Sequence, residues 1–212
     1  MALTMTLQTL QLHVSSARLA PYQALTSSDD AAVRLYEWNA RISAAMWETL
    51  GHVEVIIRNA IHRELTAWSN SRHGQPLWYL DPGGYLTSRH VDDVRLARRR
   101  ATIGGRPEFA GRVVAELTFG FWRYLAANHY DRTLWRSAMY RAFPGQSRRD
   151  VHDALRELHR VRNRCAHHEP IHGEPIRHLY ETALDVVGWV SGDGRRWVAA
   201  TSRVGRNLAL RP

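Results

Sequence analysis

Residues 28–67 of the chain decide its fold, and they read SDDAAVRLYEWNARISAAMWETLGHVEVIIRNAIHRELTA. The stretch opens with a serine and two aspartates, a favourable helix start because the serine caps backbone N–H groups and the acids face the positive end of the helix dipole. Apolar residues then recur at intervals of three and four positions, the spacing of one helix face. They are Leu35, Trp38, Ile42, Ala45, Met46, Val53, Ile56, Ile57 and Ile61. The pattern predicts one long helix that ends near Ala67, or two nearly collinear helices separated at Gly51.

Outward from this helix, the sequence pattern remains helical and shows no convincing strand alternation. An ordered loop is predicted over residues 70–84, which packs on the bundle through residues 77–80, and a short basic helix capped by Ser88 follows it. The next predicted helix runs from Pro107 to about Asn128 with a kink at Gly120. A capping box at residues 147–150 opens another helix, and a last helix over residues 176–190 precedes an arginine-rich tail. We therefore predict an all-α bundle without significant sheet. We also predict that residues 1–212 form a single domain, with a core over about 28–190 and an extension at each end.

The composition favours a polyanion as the binding partner. The chain has 212 residues, a hydrophobic content of 44% and a formal net charge of +9, and all 29 of its basic residues are arginines. Mutational bias in a GC-rich genome is a second explanation for the arginines, but guanidinium groups suit phosphate whatever their origin. Nucleic acid is therefore the leading partner class, and an acidic protein is the second.

Other sequence features predict a cytoplasmic protein. The single cysteine, Cys165, excludes an internal disulfide and fits a reducing compartment. The first twenty residues lack the pattern of a secretory signal, and no apolar stretch approaches the ~20 residues that cross a bilayer. The sequence contains no glycine-rich phosphate loop and no pair of carboxylates that would suggest a cofactor. We therefore expect no cofactor.

The segment RNRCAHH, residues 162–168, carries groups that suit RNA cleavage. In that reaction the 2′-hydroxyl loses a proton and attacks phosphorus, and the departing 5′-oxygen gains a proton. An imidazole can transfer these protons, and a guanidinium can hold the phosphate and offset the charge that grows in the transition state. We therefore select Arg162 as the phosphate-binding residue, His167 as the acid or base, and Asn163 as the residue that orients one of them.

The spacing of these residues poses a geometric question. At 3.6 residues per turn, Arg162 and His167 lie about 140° apart on a straight helix, whereas Asn163 and His167 share a face. Two solutions remain open. The chain break at Pro170 could let His167 turn inward, or a two-fold dimer could bring two copies of the segment over one phosphate.

Three stretches occur in order along the chain: EVIIRNAI at residues 54–61, ELTFGFW at residues 116–122 and VRNRCAHHEPI at residues 161–171. Together they resemble the Abi-like (abortive infection) family of the HEPN superfamily. Its signature is an arginine, a polar residue and, a few positions later, a histidine, which Arg162, Asn163 and His167 match. The resemblance implies a HEPN-like helical bundle with additional helices, paired in a homodimer whose two motifs meet in a cleft. It further implies metal-independent RNA cleavage in bacterial phage defence, restrained by an antitoxin or another regulatory partner.

Several alternatives stay open. Arg162 could pair with Glu54 across the bundle while His167 caps a helix end, and the chain would then be a non-catalytic module that binds RNA or protein. Arg58 and His62 share a helix face and could hold the RNA backbone, although Arg58 could instead pair with Glu54. We predict Arg164 and His168 as further auxiliary residues, since they flank His167 in the segment.

Residues 168–172 spell the zinc-protease pattern H-E-x-x-H. That pattern binds zinc only on a helix, where its two histidines face one metal ion. Pro170 removes a backbone donor inside the would-be helix and pushes Glu169 away from helical angles. The sequence therefore predicts no metal site here.

Overall fold

The computed structural model describes residues 5–212, and no strand occurs among them. The all-α prediction is confirmed for this part of the chain. Its α-helices, in chain order, are α1 (Leu7–Val14), α2 (Ser16–Gln23), α3 (Asp29–His73), α4 (Ser88–Ala101), α5 (Ala110–Ala115), α6 (Phe119–Leu125), α7 (Arg148–Ala166), α8 (Ile176–Val190), α9 (Gly192–Thr201) and α10 (Val204–Ala209). Short 3-10 and π turns connect α6 to α7.

Helix α3 is a single continuous element of 45 residues and forms the axis of the fold. It runs through Gly51 without a break and ends six residues beyond the predicted end at Ala67. A glycine inside a helix costs about 1 kcal/mol. Leu50 and Val53 beside it are fully buried against the bundle and hold the helix together. The helix ends at Gly74, whose φ of 64° is left-handed and favours glycine.

Helices α7 and α8 pack against α3 and against each other to form the central core. The predicted capping box of α7 forms in part: Ser147 Oγ accepts a hydrogen bond from the backbone N–H of Asp150 at 3.1 Å, while the Asp150 carboxylate accepts one from the Ser147 hydroxyl instead of from its backbone N–H. Helix α8 spans the predicted residues. Both helices therefore follow from local sequence signals.

The predicted helix from Pro107 to Asn128 is wrong as a single element. The chain forms two helices, α5 and α6, and the break falls before Thr118 instead of at Gly120. Thr118 Oγ1 accepts a hydrogen bond from the backbone N–H of Phe121 at 3.4 Å, and it therefore starts a new helix. Leu117 is buried between the two helices, which anchors the break.

The loop between α3 and α4 packs on the bundle as predicted, since Trp78 and Tyr79 are buried. The basic helix α4 is present, but its cap is Thr87 instead of Ser88. Thr87 Oγ1 accepts a hydrogen bond from the backbone N–H of His90.

Both ends of the described chain fold onto α3. Helices α1 and α2 cover one part of α3, and the expected arginine-rich tail is folded into α9 and α10, which contact α3 and α8. Trp38 Nε1 donates a hydrogen bond to the backbone oxygen of Asn207 at 2.7 Å. The hydroxyl groups of Thr49 and Ser202 lie 2.9 Å apart. Within residues 5–212, no helix combines the length and the apolar character that a bilayer crossing requires.

Candidate functional site

The rotation of α7 about its axis determines where the segment 162–168 points. Five residues of α7 are buried and define its core-facing side: Val151, Leu155, Leu158, Val161 and Cys165. His159, Arg162 and Asn163 lie along one edge of that side and are half-buried. They are therefore held at the boundary between the core and solvent.

Arg162 lies against α3. Its guanidinium carbon is 4.7 Å from the centroid of the Trp47 ring, a cation–π contact that holds the planar group in a fixed position. Glu54, about two turns further along α3, is close enough for the charge of Arg162 to act on its pKa. Arg162 is therefore positioned by one aromatic ring of α3 and lies within electrostatic reach of one acid of the same helix.

Glu54 is a half-buried carboxyl group within reach of the charges of two guanidinium groups. Burial raises its pKa, while the charges of Arg162 and Arg58 and the backbone amide of Phe119 lower it in part. Two interpretations of the sequence paired Glu54 with one of these arginines. Both charges act on Glu54, but among the described residues neither arginine forms a direct ion pair with it.

His159 and Asn163 form a polar pair on the same edge of α7. Asn163 Nδ2 lies 3.3 Å from His159 Nε2, and the His159 ring stacks on Phe119 with centroids 5.8 Å apart and an interplanar angle of 6°. Burial lowers the pKa of His159, and the charges of Arg123, Arg162 and Arg89 lower it further. His159 is therefore a neutral imidazole at neutral pH, with Nε2 as an acceptor toward Asn163.

Three arginines from three helices lie close enough to lower the pKa of His159: Arg89 of α4, Arg123 of α6 and Arg162 of α7. Arg162 also acts on Glu54 together with Arg58 of α3, and we call these four arginines the arginine cluster. Arg89 and Arg123 lie over the Tyr124 ring at 4.7 and 4.2 Å. Among the described residues, nothing accepts a hydrogen bond from the buried Nε of Arg58 or of Arg123. Converging guanidinium groups with unused donors form a site for an anion, and phosphate is the anion that their fork geometry fits.

His167 lies outside the arginine cluster. Helix α7 is regular through Ala166, and the backbone N–H of His167 donates to the carbonyl oxygen of Asn163 at 2.9 Å. The His167 side chain is exposed, so the inward turn considered from the sequence does not occur in the single chain. Arg162 and His167 thus stay on different sides of the helix, about 140° apart.

Arg164 holds the turn after α7. Its guanidinium donates to Glu174 Oε1 and to the backbone oxygen of Pro170, each at 2.6 Å. Arg160 also binds Glu174, at 2.7 Å to each carboxylate oxygen, and this contact is the largest cause of the lowered pKa of Glu174. Arg164, which was predicted as an auxiliary residue, therefore binds groups of its own chain.

The predicted pair Arg58 and His62 separates into two environments. Arg58 belongs to the arginine cluster. His62 Nδ1 instead accepts a hydrogen bond from Trp78 Nε1 at 2.9 Å, and because an indole only donates, this nitrogen carries no proton. Burial, followed by the charge of Arg58, lowers the pKa of His62. His62 therefore anchors the loop between α3 and α4.

His168 is exposed, has a φ of 54°, and lies at the edge of a cavity of about 570 Å³ between α2, α3 and the end of α7. We call this cavity the Trp47 pocket. Its other principal lining residues are Arg18, Tyr36, Asn39, Ser43, Trp47 and Cys165. The second histidine of the H-E-x-x-H pattern, His172, is buried against Tyr22, so the two histidines lie in different environments.

His159, Arg89 and Arg123 were not selected from the sequence. His159 could have been found, because residues 159, 163 and 167 follow one another at intervals of four and so lie on one stripe of α7. Arg89 and Arg123 carry no such signal, since only the tertiary placement of α4 and α6 brings them to the site.

Comparisons of the chain with protein-family models, with curated proteins and with solved structures find no match. A function for this chain therefore has to follow from its own residues.

Proposed function

We propose that the chain is a metal-independent endoribonuclease of the HEPN type that acts in bacterial abortive infection. The observation that carries the proposal is the convergence of the arginine cluster on His159 and Asn163, beside the segment that resembles the HEPN motif. The cluster has four guanidinium groups, and two of them, Arg162 and Arg58, act on the half-buried carboxyl group of Glu54, so the site retains excess positive charge for a phosphate. The net charge of +9 gives a field that attracts RNA from a distance.

The proposed reaction needs two proton transfers. A base removes the proton of the 2′-hydroxyl, the resulting oxygen attacks the adjacent phosphorus, and the bond from phosphorus to the 5′-oxygen breaks. An acid protonates that 5′-oxygen, so the products are a 2′,3′-cyclic phosphate and a 5′-hydroxyl. Arg162 holds the phosphate, and His167 acts as acid or base. Asn163 orients a histidine, and its contact with His159 identifies a second imidazole for the other transfer.

A two-fold dimer completes this arrangement. Within one chain, Arg162 and His167 lie on different sides of α7, and His167 is exposed. An exposed His167 can reach a site on a second copy, and two-fold symmetry then builds two equivalent sites. Each site would contain Arg162 of one copy and His167 of the other. Because such an enzyme attacks its host's RNA, we expect an antitoxin or another regulatory partner to restrain it.

The test is incubation of the purified chain with a single-stranded RNA in EDTA. We expect cleavage by the wild type and a loss of about 100-fold or more in Arg162→Ala and in His167→Ala, because each removes a group that acts in the transition state. Arg206→Ala, on the exposed side of α10, is the matched control and should cleave as the wild type does. Unchanged cleavage by both site variants, with their helicity preserved, would exclude the proposed roles.

A second candidate is a non-catalytic RNA-binding module. The separation of Arg162 and His167 in the single chain favours it, since binding requires only the arginine cluster. RNA binding that weakens in Arg123→Gln, together with intact RNA after incubation with the wild type, would support this candidate.

A further inference from the structure

The Trp47 pocket has the size and the walls of a small-molecule site. Its volume of about 570 Å³ lies within the range of about 300–1,000 Å³ that is usual for ligand cavities. The rings of Tyr36 and Trp47 contribute to its walls, and Trp47 keeps 44% of its surface exposed. Aromatic walls of this kind bind flat, uncharged rings by stacking.

Polar groups in the pocket are available to a ligand. Asn39 Oδ1 accepts hydrogen bonds from the backbone N–H groups of Ile171 at 2.8 Å and His172 at 3.0 Å, which fixes the side-chain amide and leaves its Nδ2 donors free of these contacts. Ser43 Oγ is buried and has no hydrogen-bond partner among the described residues. Burial raises the pKa of Cys165 to about 11, so its thiol stays uncharged. These groups offer hydrogen bonds without a negative charge.

The pocket is joined to the proposed phosphate site by a shared residue. Trp47 lines the pocket, and the same ring carries the guanidinium of Arg162 at 4.7 Å. Cys165 and Ala166, which continue α7 from Arg162, also line the pocket. A ring bound in the pocket therefore lies one side chain away from a phosphate bound by Arg162.

We propose that the Trp47 pocket receives one nucleobase of a single-stranded RNA, the base next to the phosphate that Arg162 holds. Bases of single-stranded RNA are unstacked and are commonly recognised by aromatic side chains and hydrogen bonds to their edges. Arg18, half-buried at the pocket, supplies a positive charge for a further phosphate of the same strand. This proposal rests on the proposed function, because the base that it assigns to the pocket is the one next to the phosphate that the nuclease would cleave.

The test is a titration of the full chain with the four ribonucleosides, followed by NMR. Nucleosides carry no phosphate and cannot be cleaved, so the result does not depend on catalysis. We expect saturable binding of at least one nucleoside, and Ala44→Phe, which fills the pocket from an exposed position of α3, should weaken it by about tenfold or more. The matched control Ala67→Phe, also exposed on α3 and about six turns away, should bind as the wild type does.

Equal nucleoside binding by the wild type and Ala44→Phe, or no binding by the wild type, would overturn the pocket proposal. Arg162→Gln separates the two proposals, because it should abolish cleavage while nucleoside binding persists. Nucleoside binding by a wild type that leaves RNA intact would refute the nuclease and keep the pocket. As a second measurement, a 4-thiouridine-containing RNA should crosslink on illumination to the peptide that holds Tyr36 or Trp47. Crosslinks confined to other helices would contradict the assignment.

Discussion

His159 is the residue on which the electrostatics of the site converge. It stacks on Phe119, contacts Asn163, and is close enough to three guanidinium groups for them to lower its pKa. The nearby cations keep His159 unprotonated but weaken it as a base, because they disfavour the imidazolium. In the proposed reaction, the same positive charges would stabilise the negative charge that develops on a phosphate.

Gly120 allows His159 to take this position. A Cβ at residue 120 would lie 3.3 Å from His159 Nε2, whereas a Cβ at Gly51 would meet nothing within 4 Å. Both glycines lie inside helices, where alanine is favoured by about 1 kcal/mol. We predict that Gly51→Ala raises the free energy of unfolding by about that amount, while Gly120→Ala gains less and displaces the His159 ring.

Urea denaturation measures the stability of both variants, and the NMR signals of the His159 ring report its displacement. Cleavage should fall in Gly120→Ala and stay unchanged in Gly51→Ala. Equal stabilisation by the two substitutions, with unaltered His159 signals, would show that the close approach of residue 120 has no consequence.

At the scale of elements, the sequence predicted those helices whose signals are local. Helix α8 follows from its apolar spacing, and α7 follows from the hydrogen bond that Ser147 accepts from Asp150. The break between α5 and α6 was missed because Thr118 was treated as part of a helix instead of as a cap. Helices α9 and α10 were missed because they are short, with 10 and 6 residues, and are held in place by packing on α8 and α3.

The same distinction applies to the site. Arg162, Asn163 and His167 could be selected because they are neighbours in sequence. The proximity of Arg89 and Arg123 to this part of α7 could not be predicted, because it depends on the tertiary placement of α4 and α6. The environment of His62 could not be predicted either, since its Nδ1 accepts a hydrogen bond from Trp78 Nε1 in the loop between α3 and α4.

Helices α9 and α10 contribute to the stability of the bundle, which can be tested at Val198. This side chain of α9 is fully buried, whereas Val55 on α3 is 43% exposed. We predict that Val198→Ala lowers the free energy of unfolding by about 2 kcal/mol, because it removes two buried carbons and leaves a cavity. Val55→Ala is the control and should change it by less than about 0.5 kcal/mol. Chemical denaturation that found the same small effect for both would mean that α9 is not part of the cooperative fold.

At the scale of the whole molecule, burial lowers the pKa of four histidines: His62, His90, His159 and His172. The unfolded chain binds protons at these positions below about pH 6.5, while the folded chain resists protonation. Stability should therefore be retained above that pH and be lost as the pH falls below it. The raised pKa of Glu54 acts in the opposite direction, because the folded chain binds that proton more readily.

We predict that the unfolding temperature falls between about pH 7.5 and about pH 5.5. His172→Leu should reduce this dependence, because it removes a buried imidazole with no hydrogen-bond partner for either nitrogen among the described residues. His13→Leu, at an exposed position, is the control and should leave the pH dependence of the unfolding temperature unchanged. Thermal unfolding followed by circular dichroism gives both values, and identical pH profiles for the two variants would contradict the assignment to His172.

In the proposed dimer, Arg162 of one copy and His167 of the other act on one phosphate. The most direct measurement mixes Arg162→Ala with His167→Ala after joint refolding and follows cleavage of a short RNA in EDTA. Each variant alone should be inactive. The mixture should regain about a quarter of wild-type activity, because about half of its dimers are mixed and each mixed dimer keeps one intact site of two. The products should carry a 2′,3′-cyclic phosphate and a 5′-hydroxyl. A mixture as inactive as its components, beside an active wild type, would contradict the shared site.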